Sequence, residues 1–327
     1  MIGFIVKRFI NYAILSAIAT LSAYLLASTI LNPAARYLGR NPRPSDATIS
    51  SILDGLGVNP KTPLIDRLWN WVVNLVAHGS LGDTIHNTSV VQEMTARAGT
   101  SLRLLVLGTV IAALVGVALG VWGAVRQYKA SDQVISYASF TVLAMPAFVL
   151  GVLLMILATN VNGLLGMQLI NFTGEYTPGL DGNWWVHLWD RAGHLLLPTI
   201  ALALIGAAGY SRYQRSAMLD VLSADYIRTA RSKGRTRGSA LVRHGVRVAL
   251  IPMSTYFAYS FATILAGAAV TELVFSWHGM GEFLIQAIQQ DDINAFTGAI
   301  LFNAVLILIA GTLSDIMYAA LDPRVRV

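Results

Sequence analysis

The chain has 327 residues, 55% of them apolar and 12% charged, and a formal net charge of +6. So few charges exclude a water-soluble domain of this size, which typically carries about 25% charged residues. The absence of cysteine excludes thiol chemistry, disulfides and Cys-ligated metal sites.

In chain order, six apolar runs approach or reach the roughly 20 residues with which a helix crosses a hydrocarbon core of about 30 Å. They extend from Phe9 to Leu31, Leu104 to Val125, Val134 to Thr159, His194 to Ser211, Val248 to Thr271 and Phe296 to Ser314. A transmembrane barrel would alternate apolar and polar residues in strands of about ten, so the sequence predicts an all-α, polytopic membrane protein with six transmembrane helices. The first run follows Lys7 and Arg8, as a secretory signal would, but its 23 positions exceed an h-region of about 7 to 15. It is expected to be a retained helix, making residues 1–31 an N-terminal transmembrane segment.

Residues 32–103 form an extracytoplasmic cap in this scheme. Ile49, Ile52, Leu53 and Leu56 recur at helical spacing after Ser45, which suits an N-cap, and Gly55 and Gly57 end the pattern. A second helix is expected from Thr62, with Pro63 in its first turn and Ile65, Leu68, Trp69, Val72 and Val76 along one face. Trp69, Trp71, Trp184, Trp185, Trp189 and Trp277 all fall in the expected outer segments, as an interfacial belt or a docking surface would place them.

Residues 104–327 follow as a five-helix core. Its first helix repeats small residues at every fourth position, Gly108, Ala112, Gly116, Gly120 and Ala124, a stripe that lets another helix approach closely. Pro146 and Pro198 sit inside or near the start of helices and are candidates for kinks. The second to fifth runs carry no Asp, Glu, Lys or Arg through their middles, and the sixth holds only Asp315 near one end. An ion-coupled secondary carrier would place ionisable groups there. No G-x-x-x-x-G-K-[ST] loop is present to cradle nucleotide phosphates, and neither G-x-S-x-G nor H-E-x-x-H occurs. Energy for uphill transport must therefore come from another subunit.

Basic residues set the orientation. With the N-terminus inside, the cytoplasmic pieces hold 15 of the 23 Lys and Arg, nine of them between Arg212 and Arg247. The positive-inside rule places both termini in the cytoplasm and explains the net charge without a nucleic-acid partner. Within this loop, 212–247, Ser223 suits the cap of a short helix, Asp225 its N-terminal end, Arg231 and Lys233 its C-terminal end, and Gly234 the C′ position. A lone His such as His244 fits a structural role better than a metal or catalytic one.

Asp225-Tyr-Ile-Arg-Thr-Ala-Arg-Ser-Lys-Gly234 and His244-Gly-Val-Arg-Val-Ala-Leu-Ile-Pro252 resemble the loop of the dipeptide and oligopeptide permease family of ABC importers. Gly79-Ser-Leu-Gly-Asp83, Glu272-Leu-Val-Phe-Ser-Trp-His-Gly-Met-Gly281 and Asp322-Pro-Arg-Val-Arg326 are similar to further segments of that family. His278 stands where the family more often has Pro, and the Glu of the general E-A-A-x-x-x-G pattern has no counterpart. The resemblance implies a type I ABC importer fold in the bacterial inner membrane, with this chain as the B-type permease subunit. It further implies a homologous C-type permease subunit, two ATP-binding subunits, an extracytoplasmic substrate-binding protein and a peptide substrate; glutathione and nickel chelates are the alternatives. The chain itself would be no enzyme and carry no cofactor. Asp225, Tyr226, Ile227, Arg228, Ala230 and Gly234 would then form the helix that docks on the ATPase, with Tyr226, Ile227 and Ala230 as its apolar side.

Overall fold

The computed structural model describes residues 2–39 and 41–321. Among these the protein is helical, its one β-bridge joining Asp83 to Ser89. In chain order the helices are α1 (Ile2–Ile30), α2 (Ala35–Leu38), α3 (Asp46–Gly55), α4 (Leu64–His78), α5 (Val90–Val125), α6 (Ala130–Ala144) and α7 (Ala147–Leu165). They continue with α8 (Trp184–Leu222), α9 (Asp225–Ser232), α10 (Arg237–Ala240), a π-helical turn (Leu241–Val246), α11 (Arg247–Val274), α12 (Met280–Gln289) and α13 (Ile293–Leu321).

Six of the helical segments are long and apolar enough to cross a membrane. They match the predicted runs in number, with one change of course. The run from Val134 to Thr159 is two helices, because Pro146 cannot extend the one before it and forces Met145 to an extended ψ of 134°. Pro146 then leads into α7, which continues past Thr159 to Leu165, so the span is Ala147–Leu165. Pro198 and Pro252 lie inside α8 and α11 without ending them. At 39 residues α8 is about 58 Å long, well beyond a hydrocarbon core of about 30 Å.

The described chain packs as two compact units. One comprises Arg103–Trp277 with the described ends of the chain, up to Phe9 and from Ile309; the other comprises Ile10–Leu102 and His278–Leu308. The helices α1, α5 and α13 contribute residues to both.

In the second unit, Ser45 caps α3 through its hydroxyl, which accepts the Thr48 N–H at 3.2 Å. Gly57 turns the chain beyond α3 at φ 70°. The next helix, α4, starts at Leu64 rather than Thr62, and Gly79 ends it at φ 64°. One core cluster gathers Tyr24, Ile49, Leu53, Trp71, Val90 and Ile293. Tyr24 and Trp71 meet with ring centroids 5.4 Å apart, and the Trp71 indole N–H donates to the Leu81 carbonyl at 3.2 Å. Trp71 and Trp277 are therefore core residues, whereas Trp69, Trp184, Trp185 and Trp189 are exposed as an interfacial belt requires.

Side-chain amides and carboxylates tie the loops of this unit down. Asn294 donates to the carbonyls of Leu56 and Asp83, each at 3.0 Å. Asp292 accepts the N–H groups of Ile85 at 2.8 Å and Ala295 at 2.9 Å. Burial still pushes its carboxyl above the ordinary value, because desolvation outweighs these bonds to the anion. His278 lies 2.8 Å from the Glu282 carboxylate, near the start of α12.

Candidate coupling helix and helix-packing seam

The loop between α8 and α11 folds as a short helix resting on its neighbours. Its N-terminal boundary differs from the sequence expectation. Ser223 turns its hydroxyl back onto the Asp220 carbonyl at 3.0 Å, closing α8 instead of capping α9. Asp225 stands in the first turn of α9, where the helix dipole favours a carboxylate. Its 3.7 Å ion pair with Arg228 joins two exposed side chains and adds little stability.

At the other end the Arg235 N–H reaches the Ala230 carbonyl at 3.3 Å, the six-to-one bond of a Schellman motif. Gly234 occupies the C′ position at φ 86°, a left-handed conformation that a side chain resists.

The residues of α9 divide by exposure. Ile227 is 4% exposed and packs with Ala124, Met218, Val221, Leu241 and Ala249 of the same chain. Ala230 is half-buried, while Asp225, Tyr226, Arg228 and Thr229 are exposed. Burial of part of the Tyr226 ring raises its hydroxyl pKa above the ordinary value. Fully burying a side chain like Ile227 is worth about 1.5–3 kcal/mol, so α9 is attached to its own helices by an apolar anchor. The π-helical turn that follows passes close to α8, because Gly245 has no side chain: a Cβ there would lie 3.2 Å from Val221 Cγ1. The side chains of Arg231 and His244 and the segment Asp322-Pro-Arg-Val-Arg326 lie outside the described residues.

Along α5, the small-residue stripe faces α8. A Cβ at Gly108 would stand 2.7 Å from Leu202 Cδ2, one at Gly116 2.5 Å from Tyr210 Cβ, and one at Gly120 2.6 Å from the Ser211 carbonyl oxygen. Ala112 is fully buried, and α8 reciprocates at Gly206, whose added Cβ would fall 2.7 Å from Ala112 Cβ. The two backbones approach as closely as they do because at each of these contacts one helix presents only glycine.

An ion pair invisible to local spacing fastens α6 to α8. The Arg215 guanidinium grips Asp132 with two bonds, 2.6 and 2.8 Å, and the Tyr128 N–H donates to the same carboxylate at 2.9 Å. Asp132 is 2% exposed, so removing Arg215 would strand a buried charge. The partners are 83 positions apart, and only a surplus of charge beside apolar runs could have pointed to them.

Spanning helices seamed by small residues, with a short helix seated between two of them, define a polytopic helical membrane protein. Residues 116–327 match the family described as binding-protein-dependent transport system inner membrane component, and the chain belongs to that family. It is a multi-pass inner-membrane protein. Among its relatives is the oligopeptide transport system permease protein OppB of Mycobacterium tuberculosis, 46% identical over 327 residues and the full length of both chains. The oligopeptide permease AppB of Bacillus subtilis is 32% identical over 330 residues, again across both chains. The dipeptide permease DppB of Escherichia coli is 35% identical over 271 residues, covering 77% of this chain and 78% of DppB. The MetNI methionine ABC transporter in inward-facing conformations shares the fold: TM-score 0.56, 13% identity, 71% of this chain and 97% of that one covered.

Proposed function

We propose that this protein is the B-type permease subunit of an ATP-driven peptide importer. The observation that carries the reading is full-length similarity at 46% identity to an oligopeptide permease. In this reading it pairs with a homologous C-type permease subunit, two ATP-binding subunits and an extracytoplasmic substrate-binding protein. Both termini and the loop 212–247 face the cytoplasm, as the concentration of basic residues favours.

Coupling runs through α9. Ile227 anchors the helix to α8 and α11, and Tyr226, Arg228 and the edge of Ala230 meet a groove on the ATPase. When the ATPases close on nucleotide, the anchored helix transmits the displacement to the spans that flank it. The division between buried Ile227 and exposed Tyr226 supports this arrangement, since a lever must be fixed at one face and free at the other.

Ala230→Asp places a charge at the docking edge and Gly234→Val strains the turn at φ 86°. Both variants are expected to insert normally, lose peptide uptake and copurify with less ATPase. Full uptake with a full complement of ATPase in Ala230→Asp would reduce α9 to a spacer. Orientation is read separately, because the chain has no cysteine of its own. Single cysteines at Ser51 and Asn183 should react with an impermeant thiol reagent outside sealed cells, and one at Ser232 should not. Labelling at Ser232 would invert the topology.

A further inference from the structure

A cavity of about 510 Å³ lies among α6, α8 and α11, and its walls mix charged, hydroxyl and aromatic groups. It is lined by Arg212, Tyr213, Ser136, Ser216, Tyr256 and Phe140, among others. Arg212, Tyr213 and Ser216 follow directly on the apolar run of α8 that ends at Ser211, so the cavity lies at that end of the span. Here two guanidiniums, two phenols and two hydroxyls converge.

Two arginines of α8 border the cavity and they are differently committed. Arg215 is held bidentate by Asp132. Arg212 is exposed, lies 4.2 Å over the Phe140 ring, and forms no ion pair among the described residues. Topological bias would supply an arginine anywhere along the cytoplasmic rim. It would supply neither the aromatic seat that fixes Arg212 nor the tyrosines beside it.

Those tyrosines are built into position. Tyr213 stacks on Tyr256 with centroids 4.3 Å apart and planes at 11°, while Tyr210 meets Tyr256 edge-on at 5.6 Å. Tyr210 is itself fixed, since its phenol oxygen accepts the Ser260 hydroxyl at 2.7 Å. Gly209 leaves room for the Tyr256 hydroxyl, which a Cβ there would approach to 3.0 Å. Tyr259 extends the aromatic row beyond Tyr256, with centroids 6.3 Å apart, and is 75% exposed.

We propose that this cavity is a subsite on the translocation path that receives the C-terminal carboxylate of the peptide, with Arg212 binding the carboxylate and the Tyr213–Tyr256 stack flanking the last residues. The inference rests on the peptide-importer reading and names what in the substrate is recognised. Peptides of varied sequence share a backbone and charged termini, so a path that must pass many of them can hold the carboxylate by a planar guanidinium. Phenol faces tolerate whatever side chain follows.

The test compares one peptide as free acid and as C-terminal amide, in uptake by the complete transporter reconstituted with its ATPases and binding protein. Arg212→Gln should lower the acid-to-amide uptake ratio about tenfold, the size of a lost charge-assisted bond, and Arg212→Lys, which keeps the charge but not the planar fork, should recover part of it. An unchanged ratio in Arg212→Gln overturns the subsite, whether uptake is unaffected or falls equally for both peptides. The equal fall is the result expected if Arg212 holds a lipid phosphate or merely supports the fold. If the wild-type transporter takes up neither form, the peptide reading itself fails, and the subsite with it.

Discussion

The core around Tyr24 and Trp71 and the seam between α5 and α8 are built from opposite materials. The first collects large side chains from α1, α3 and α4, with Tyr24, Trp71, Ile49 and Leu53 all at most 6% exposed. The second is held by what is missing, since Gly108, Gly116, Gly120 and Gly206 each leave a space that a single added carbon would fill. Amphipathic helices such as α3 and α4 gain stability by removing large apolar surfaces from water. Between spanning helices that driving force is absent, because lipid solvates a leucine as well as protein does, and close backbone approach takes its place.

The two cores should therefore fail in different ways. Trp71→Ala is expected to have the larger effect, about 3–5 kcal/mol, since it removes the Tyr24 contact and the indole bond to Leu81 and leaves a cavity. Limited proteolysis of the purified protein should then cut first between α3 and α4, and a wild-type digestion pattern would refute the assignment of Trp71 to that core. Gly116→Val should cost about 1–3 kcal/mol, the strain of moving α5 away from Tyr210 Cβ and the Ala207 backbone. It adds apolar atoms, so a stability contest based on hydrophobic burial alone would predict a gain. Thermal melting in detergent decides: a Gly116→Val protein that melts at or above the wild type would mean that close approach does not hold α5 to α8.

Much of the architecture was legible from residue patterns. The number of spans followed from apolar run length, the start of α3 from Ser45, and the end of α9 from Gly234, because each depends on a few neighbouring residues. Boundaries were less so. Pro146 was a possible kink in sequence but split the third run in the structure, and Ser223 bonded back to Asp220 although its position also suited a cap for α9. A hydroxyl at such a junction has two carbonyl and amide environments within reach, and composition does not choose between them.

What the sequence determined by itself was the solvent, the helical class, the count of spans and the loop motif shared with peptide permeases, all of which arise from local hydropathy, short-range backbone preference or direct similarity. Only the tertiary structure decided that the α5 stripe meets α8, that Ile227 turns inward while Tyr226 stays exposed, and that Asp132 takes Arg215 while Arg212, with no ion pair among the described residues, lies over Phe140 beside a tyrosine stack. The reason is geometric: each of those outcomes pairs residues from separate helices, and the choice of partner lies in how the helices pack, which no spacing along one strand of sequence encodes.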